Sequence, residues 1–96
     1  MSRTVRRLSI RRLAITGRVQ GVGFRYWLRD RATAHGLVGW CRNEADGSVS
    51  AVVAGPAEAV NALLAECRDG PPAAAVDEVA TEAAEDPGGD SFEIRR

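Results

Sequence analysis

The sequence predicts an α+β domain, a two-layer sandwich in which two helices cover one face of an antiparallel sheet. Three observations predict it. The 96 residues are one domain's worth of chain, large enough for a single compact core. Apolar residues recur with period two in several short stretches and with helical period in two others. These stretches run strand, helix, strand, strand, helix, strand, with a short C-terminal fifth strand, and Gly, Pro and Asp-Gly turn signals separate them.

Residues 1–7 carry no pattern and read as a flexible basic N-terminal arm, leaving 8–96 as the single domain. In the first strand Leu8 and Ile10 alternate, then Leu13, Ile15 and Val19 with Gly17 in phase. Gly17 to Gly23 is a glycine-rich turn, and a helix follows over Phe24–His35. Phe24, Leu28 and Ala32, with Trp27 alongside, form its apolar stripe, and Gly36 ends it as a left-handed cap. Leu37–Arg42 is a second strand and Ser48–Ala54 a third, joined by a hairpin over Asn43–Gly47 with Asp46-Gly47 as the turn signal. Gly55-Pro56 opens a second helix, with Pro at its first turn. Its Val60, Leu63, Leu64 and Cys67 fall at i, i+3, i+4 and i+7, and Asp69-Gly70-Pro71-Pro72 stops it. Val76, Val79 and Thr81 suggest a fourth strand irregular enough to hold a bulge. A polar loop over Glu85–Asp90 precedes a last short strand with Phe92 and Ile94. This order is the split βαβ, ferredoxin-like βαββαβ arrangement, a superfold that by itself decides no function.

The residue inventory removes several chemistries. All 13 basic residues are Arg, so Schiff-base chemistry and a Walker-type phosphate loop, both of which need Lys, are excluded. Cys41 and Cys67 lack a Cys-x-x-Cys partner, and His35 is the one histidine, which argues against a metal site or a Ser-His-Asp triad. The chain lacks an apolar run long enough for a membrane span or a secretory signal, so a cytoplasmic protein is the default. The balanced total of 13 basic and 13 acidic residues speaks against a wholesale nucleic-acid binder. That balance hides a split: residues 1–43 hold ten Arg and one acid, residues 44–96 three Arg and twelve acids. The split fits an anionic ligand on the basic half, or two halves that interleave and pair their charges.

The informative segment is Gly17 to Arg25. Three glycines in seven residues join a strand to a helix N-terminus. Successive backbone N–H groups in such a turn can converge on an anion, and the helix end adds further donors and a positive dipole. Arg25 stands at the helix start, where its planar fork suits a phosphoryl group. The segment is neither G-x-x-x-x-G-K-[ST] nor G-x-G-x-x-G. It reads either as a phosphate cradle with an arginine clamp or as a tight turn whose glycines merely avoid clashes.

Gly17-Arg18-Val19-Gln20-Gly21-Val22-Gly23-Phe24-Arg25 resembles the signature of the acylphosphatases. A second signature of that family matches Gly36-Leu37-Val38-Gly39-Trp40-Cys41-Arg42-Asn43, followed by Asp46-Gly47-Ser48-Val49. Gly70–Val76 and Phe92-Glu93-Ile94 fit it too, so the resemblance runs from about residue 8 to 96. It implies a small stand-alone hydrolase that cleaves the carboxyl–phosphate bond of acyl phosphates into carboxylate and inorganic phosphate, with no metal, no cofactor and no covalent intermediate. By the same resemblance Arg25 is the phosphate-binding arginine and Asn43 the group that orients the attacking water. The backbone N–H groups of Gln20, Gly21, Val22, Gly23, Phe24 and Arg25 are the phosphate loop. A monomer is expected, with no nucleic-acid or membrane partner. Glu44 departs from the hydroxyl residue of some family members and is expected to point to solvent rather than into the site. Some relatives carry a disulfide, but Cys41 and Cys67 read here as buried free thiols. Two other functions compete. One is a non-catalytic acyl-phosphate or phosphate-binding module, against which the retention of both Arg25 and Asn43 argues. The other is a single-stranded RNA binder, against which the lack of aromatics in the third strand argues.

Overall fold

The computed structural model describes residues 8–96, so the expected basic arm over residues 1–7 lies outside the described residues. The elements are β1 (Leu8–Arg18), α1 (Phe24–Ala34), β2 (Val38–Asn43), β3 (Val49–Pro56), α2 (Ala57–Asp69), β4 (Ala75–Ala83) and β5 (Phe92–Arg95). One five-stranded sheet has the order β4-β1-β3-β2-β5. The first four strands pair antiparallel, as expected, but β5 pairs parallel with β2, Gly39 opposite Phe92 and Arg42 opposite Arg95. The sheet is therefore mixed. The segment after β4 crosses to the far edge of the sheet, and sequence periodicity carries no information about which edge a last strand joins.

The ferredoxin-like sandwich follows from two stripes meeting one sheet face. Phe24, Leu28 and Ala32 from α1, with Val60, Leu63 and Cys67 from α2, are buried against Leu13, Ile15, Cys41, Val49, Ala51 and Val53. Each large apolar side chain buried there contributes about 1.5–3 kcal/mol. Trp27 packs on this core, its ring edge-on to Phe24 at 5.3 Å. Cys41 and Cys67 are buried free thiols, as expected.

The end of α1 is closed as Gly36 predicted. With Gly36 at φ 73°, its N–H donates to Thr33 O (3.0 Å) and the Leu37 N–H to Ala32 O (2.9 Å), the paired bonds of a Schellman motif. Arg31 donates from Nε and Nη2 to the two carboxylate oxygens of Glu66 (2.9 and 3.1 Å), and the His35 ring meets the same carboxylate at 3.1 Å. This cluster ties α1 to α2 and pairs one arginine of the basic half with an acid of the other. The expected bulge is present: Thr16 faces Glu78 and Gly17 faces Val76, so Asp77 is the extra residue of β4.

One reading needs correction. Pro56 ends β3 and stands at the N-cap of α2, rather than inside its first turn. Leu8 and Ile10 do not share a face with Leu13 and Ile15. The register of β1 on β3 is unbroken from Leu8 opposite Pro56 to Ile15 opposite Val49, so Ile10 lies on the helix-free face, in one row with Ala54 and Val38. Trp40 lies on that face as well, beside Val52, beneath the guanidinium groups of Arg12, Arg42 and Arg95 at 4.9–5.9 Å from its ring centre.

Candidate functional site

The chain leaves β1 at Arg18 and enters α1 at Phe24 through a loop whose shape is set by its glycines. Gly21 (φ 74°) and Gly23 (φ 79°) hold left-handed backbone where a side chain would be strained, although the space around them is open. Gly17 serves another purpose. A Cβ there would lie 2.3 Å from Ala75 O, so this glycine lets β1 pass close to β4 at the bulge and takes no part in the loop's curvature.

The loop leaves its donors unspent. Among the described residues, the backbone N–H groups of Gln20, Gly21, Val22 and Gly23 donate to no protein acceptor, and the first intrahelical bond of α1 is from Trp27 N to Gly23 O (3.0 Å). The amides of Phe24 and Arg25 are thus also the free donors of a helix start. That start has no side-chain cap and no acidic residue in its first turn, so neither of the usual protein partners for a helix N-terminus is present. Arg25 is partly buried in this first turn, its guanidinium 5.9 Å from the ring of Tyr26, and it makes no salt bridge among the described residues.

Two contacts bring the end of β2 to this loop. The Cys41 thiol donates to Arg25 O at 3.8 Å, placing the first turn of α1 against the helix-side face of β2. Asn43 lies two residues further along that same face, opposite the fully buried Val49. The Gln20 side chain crosses the gap and donates from Nε2 to Glu44 O (2.8 Å) and Ser48 O (2.9 Å). Asn43 Oδ1 is buried and has no hydrogen-bond partner among the described residues. A buried carbonyl oxygen left without a donor is costly, and in a folded protein it points to a strained or a functional position.

The hairpin that carries Asn43 is closed by its own bonds. Glu44 N donates to Ser48 O (2.8 Å) and Gly47 N to Glu44 O (3.1 Å). Asp46 Oδ1 accepts from both Ser48 N (2.9 Å) and Ser48 Oγ (2.6 Å), which holds the Asp46 carboxyl below its ordinary pKa. The Glu44 carboxylate is not simply solvated as expected. It accepts from Arg42 Nε (2.8 Å) and from Ser50 Oγ, residues of the helix-free face, so its charge is turned away from the loop amides and its pKa lies below the usual range. Burial pushes the Cys41 thiol up to about 11, against a smaller opposing pull from the Arg25 guanidinium.

All the predicted site positions therefore converge at one pole of the sheet, where β1 and β2 end and α1 begins. Sequence reasoning missed the Gln20 side chain, which it counted only for its backbone N–H. A long amide inside an otherwise glycine-rich turn was the available signal.

A two-layer α+β domain with unspent loop amides at one pole, and beside them a buried amide oxygen without a partner among the described residues, has the donors and the acceptor that a small anionic group and a water would need. Comparison with known proteins makes this specific. The Acylphosphatase family model matches residues 11–94. An acylphosphatase of Nitrobacter hamburgensis is 57% identical over 70 residues, 73% of this chain and 71% of that protein. One of Bradyrhizobium diazoefficiens is 48% identical over 96 residues, 100% of this chain and 89% of that protein. The crystal structure of acylphosphatase from Bacillus subtilis superposes with a TM-score of 0.88 at 32% identity, covering 94% of this chain and 100% of that one. The chain belongs to the acylphosphatase family, hydrolases of acyl phosphates. Among the described residues, no helix is long and apolar enough to cross a membrane.

Proposed function

We propose that this chain hydrolyses acyl phosphates without a metal, holding the phosphoryl group on the 20–25 loop and Arg25 and directing water with Asn43. The single observation that carries the reading is the coincidence at one pole, among the described residues, of loop amides that donate to no acceptor and a buried Asn43 Oδ1 that accepts from no donor. Donors are wanted by the non-bridging oxygens of a phosphoryl group; an acceptor is wanted by a water that must be turned toward phosphorus.

The chemistry needs little more. A carboxylate is a good leaving group, so an acyl phosphate requires little general-acid assistance. Phosphoryl transfer rests on positioning and on stabilising charge over the equatorial oxygens. The loop amides and the Arg25 guanidinium supply that stabilisation from fixed positions, the contribution a metal makes in other phosphoryl-transfer sites. Asn43 is not a base. Its carbonyl accepts a hydrogen bond from water and orients a lone pair, while the proton passes to a phosphoryl oxygen or to solvent. Water attacks phosphorus, the bridging P–O bond breaks, and the carboxylate leaves with the electron pair. The Glu44 carboxylate is paired with the Arg42 guanidinium and bonded by Ser50, so its negative charge is offset by a partner rather than aimed at the incoming dianion. The two buried thiols suit a reducing compartment, consistent with a cytoplasmic enzyme.

Hydrolysis of benzoyl phosphate in the presence of EDTA, followed by loss of its ultraviolet absorbance, tests this reading. Wild-type turnover should survive chelation. Arg25→Ala and Asn43→Ala should each lower the rate by at least about 10²-fold, the scale of one lost oxyanion partner. Turnover abolished by EDTA, or unaffected by either substitution, would refute it.

A further inference from the structure

We propose that the Gln20 side chain is a positioning residue that fixes the distance between the phosphate loop and Asn43. This rests on the reading of Asn43 given above. The backbone N–H of Gln20 belongs to the loop's free donors, while its side chain turns the other way and spends both amide hydrogens on the hairpin that follows Asn43. One residue thus spans the two halves of the site.

The acceptors show what the bridge is for. Glu44 O already receives Gly47 N, and Ser48 O already receives Glu44 N, so each carbonyl keeps a backbone donor without Gln20. The turn is further closed by Asp46 on Ser48 and by the Glu44 carboxylate on Arg42 and Ser50. The hairpin therefore has what it needs to fold. What Gln20 adds is a link from the glycine-rich loop, which has no other side-chain bond to the hairpin among the described residues, to the closed turn immediately after Asn43. Two donors on one planar amide, bonded to carbonyls four residues apart, fix direction as well as distance. Misplacement of a reacting group by 1 Å can cost about 10²-fold in rate, so a bridge of this kind acts on the rate rather than on phosphate binding.

The test is a double-mutant cycle of Gln20→Leu with Asn43→Ala, read by kcat on benzoyl phosphate and by the affinity for inorganic phosphate, with thermal melts of every variant. Gln20→Glu, nearly isosteric but presenting oxygen to two carbonyl oxygens, repeats the perturbation should the leucine variant not fold. Gln20→Leu should lower kcat about 10- to 100-fold, leave phosphate affinity within about twofold, and cost nothing further when Asn43 is already Ala, because the two act through one step. A kcat within about twofold of wild type, or a double variant slower than Asn43→Ala by the full Gln20 factor, would overturn the proposal. The nitrogen-15 spectrum separates this failure from failure of the catalytic reading. The Asn43 side-chain amide signals should shift in Gln20→Leu while the phosphate-induced shift of the Arg25 amide persists. Unmoved Asn43 signals would overturn the positioning role whatever the enzyme's activity.

Discussion

Asn43→Ala should separate function from stability, and the structure gives the size of both effects. The Asn43 side chain makes no hydrogen bond within the described protein, and its Oδ1 is a buried acceptor without a partner. Removing such a group relieves a desolvation penalty of about 1–3 kcal/mol. Against this stands the space left by one carboxamide, a few tens of Å³, which at about 24 cal/mol per Å³ costs less than about 1 kcal/mol. The variant should therefore be as stable as wild type or more so. In a domain of this size 1 kcal/mol moves the melting temperature by about 4–8 °C. Its activity should fall about 10²–10³-fold, equivalent to about 2.7–4 kcal/mol of transition-state stabilisation. Thermal melts without phosphate, beside benzoyl phosphate kinetics on the same samples, measure the two together. A variant that melts more than about 4 °C lower and keeps its rate would refute the reasoning, since Asn43 would then be a structural residue and its orphaned oxygen incidental.

Three other outcomes follow from the packing and the charges. Gly39→Ala should destabilise the fold by at least about 2–3 kcal/mol, read as a lower denaturant midpoint, because its Cβ would fall 1.8 Å from Val52 O at φ 142°; an unchanged midpoint would contradict the register of β2 on β3. Cys41 and Cys67, pushed by burial up to about 11 and about 12, should resist thiol reagents at pH 8 in the native protein and react at once in denaturant; rapid native labelling would contradict their burial. The Arg31 hydrogen bonds hold the Glu66 carboxyl below its ordinary pKa. Its contribution to stability is present above the unfolded carboxyl value of about 4.3 and is lost as pH falls through the lower folded value, so Glu66→Gln should flatten the acid limb of a melting temperature–pH profile. An identical limb in both proteins would remove this cluster from the account.

Much of the fold was legible because local and global signals agree. The stripe Val60, Leu63, Cys67 is helical in spacing and buried in fact, and Gly36 caps α1 with the bonds its position implied. The failures have a common cause. Periodicity reports that a residue faces something apolar, not which side of the sheet that is. The alternation changes phase between Ile10 and Leu13 although β1 runs on unbroken as an inner strand, and only the register shows that this change of phase is a change of face. The parallel β5 depends on a crossover that no local pattern encodes. At the site, the resemblance singled out Arg25 and Asn43, and glycine spacing gave the loop. The Gln20 bridge and the turned-away Glu44 depend on side-chain directions between segments 24 to 28 residues apart and on the partners of a surface carboxylate, which appear only once the hairpin and the loop are brought together.

The most direct test of the central claim is the fate of solvent oxygen. The proposal that the loop and Arg25 hold the phosphoryl group while Asn43 directs water requires attack on phosphorus. Hydrolysis of benzoyl phosphate in oxygen-18 water should place one heavy oxygen in inorganic phosphate and none in benzoate. Heavy oxygen in benzoate would mean attack at the carbonyl carbon, and the site would not be the phosphoryl cradle argued from its geometry.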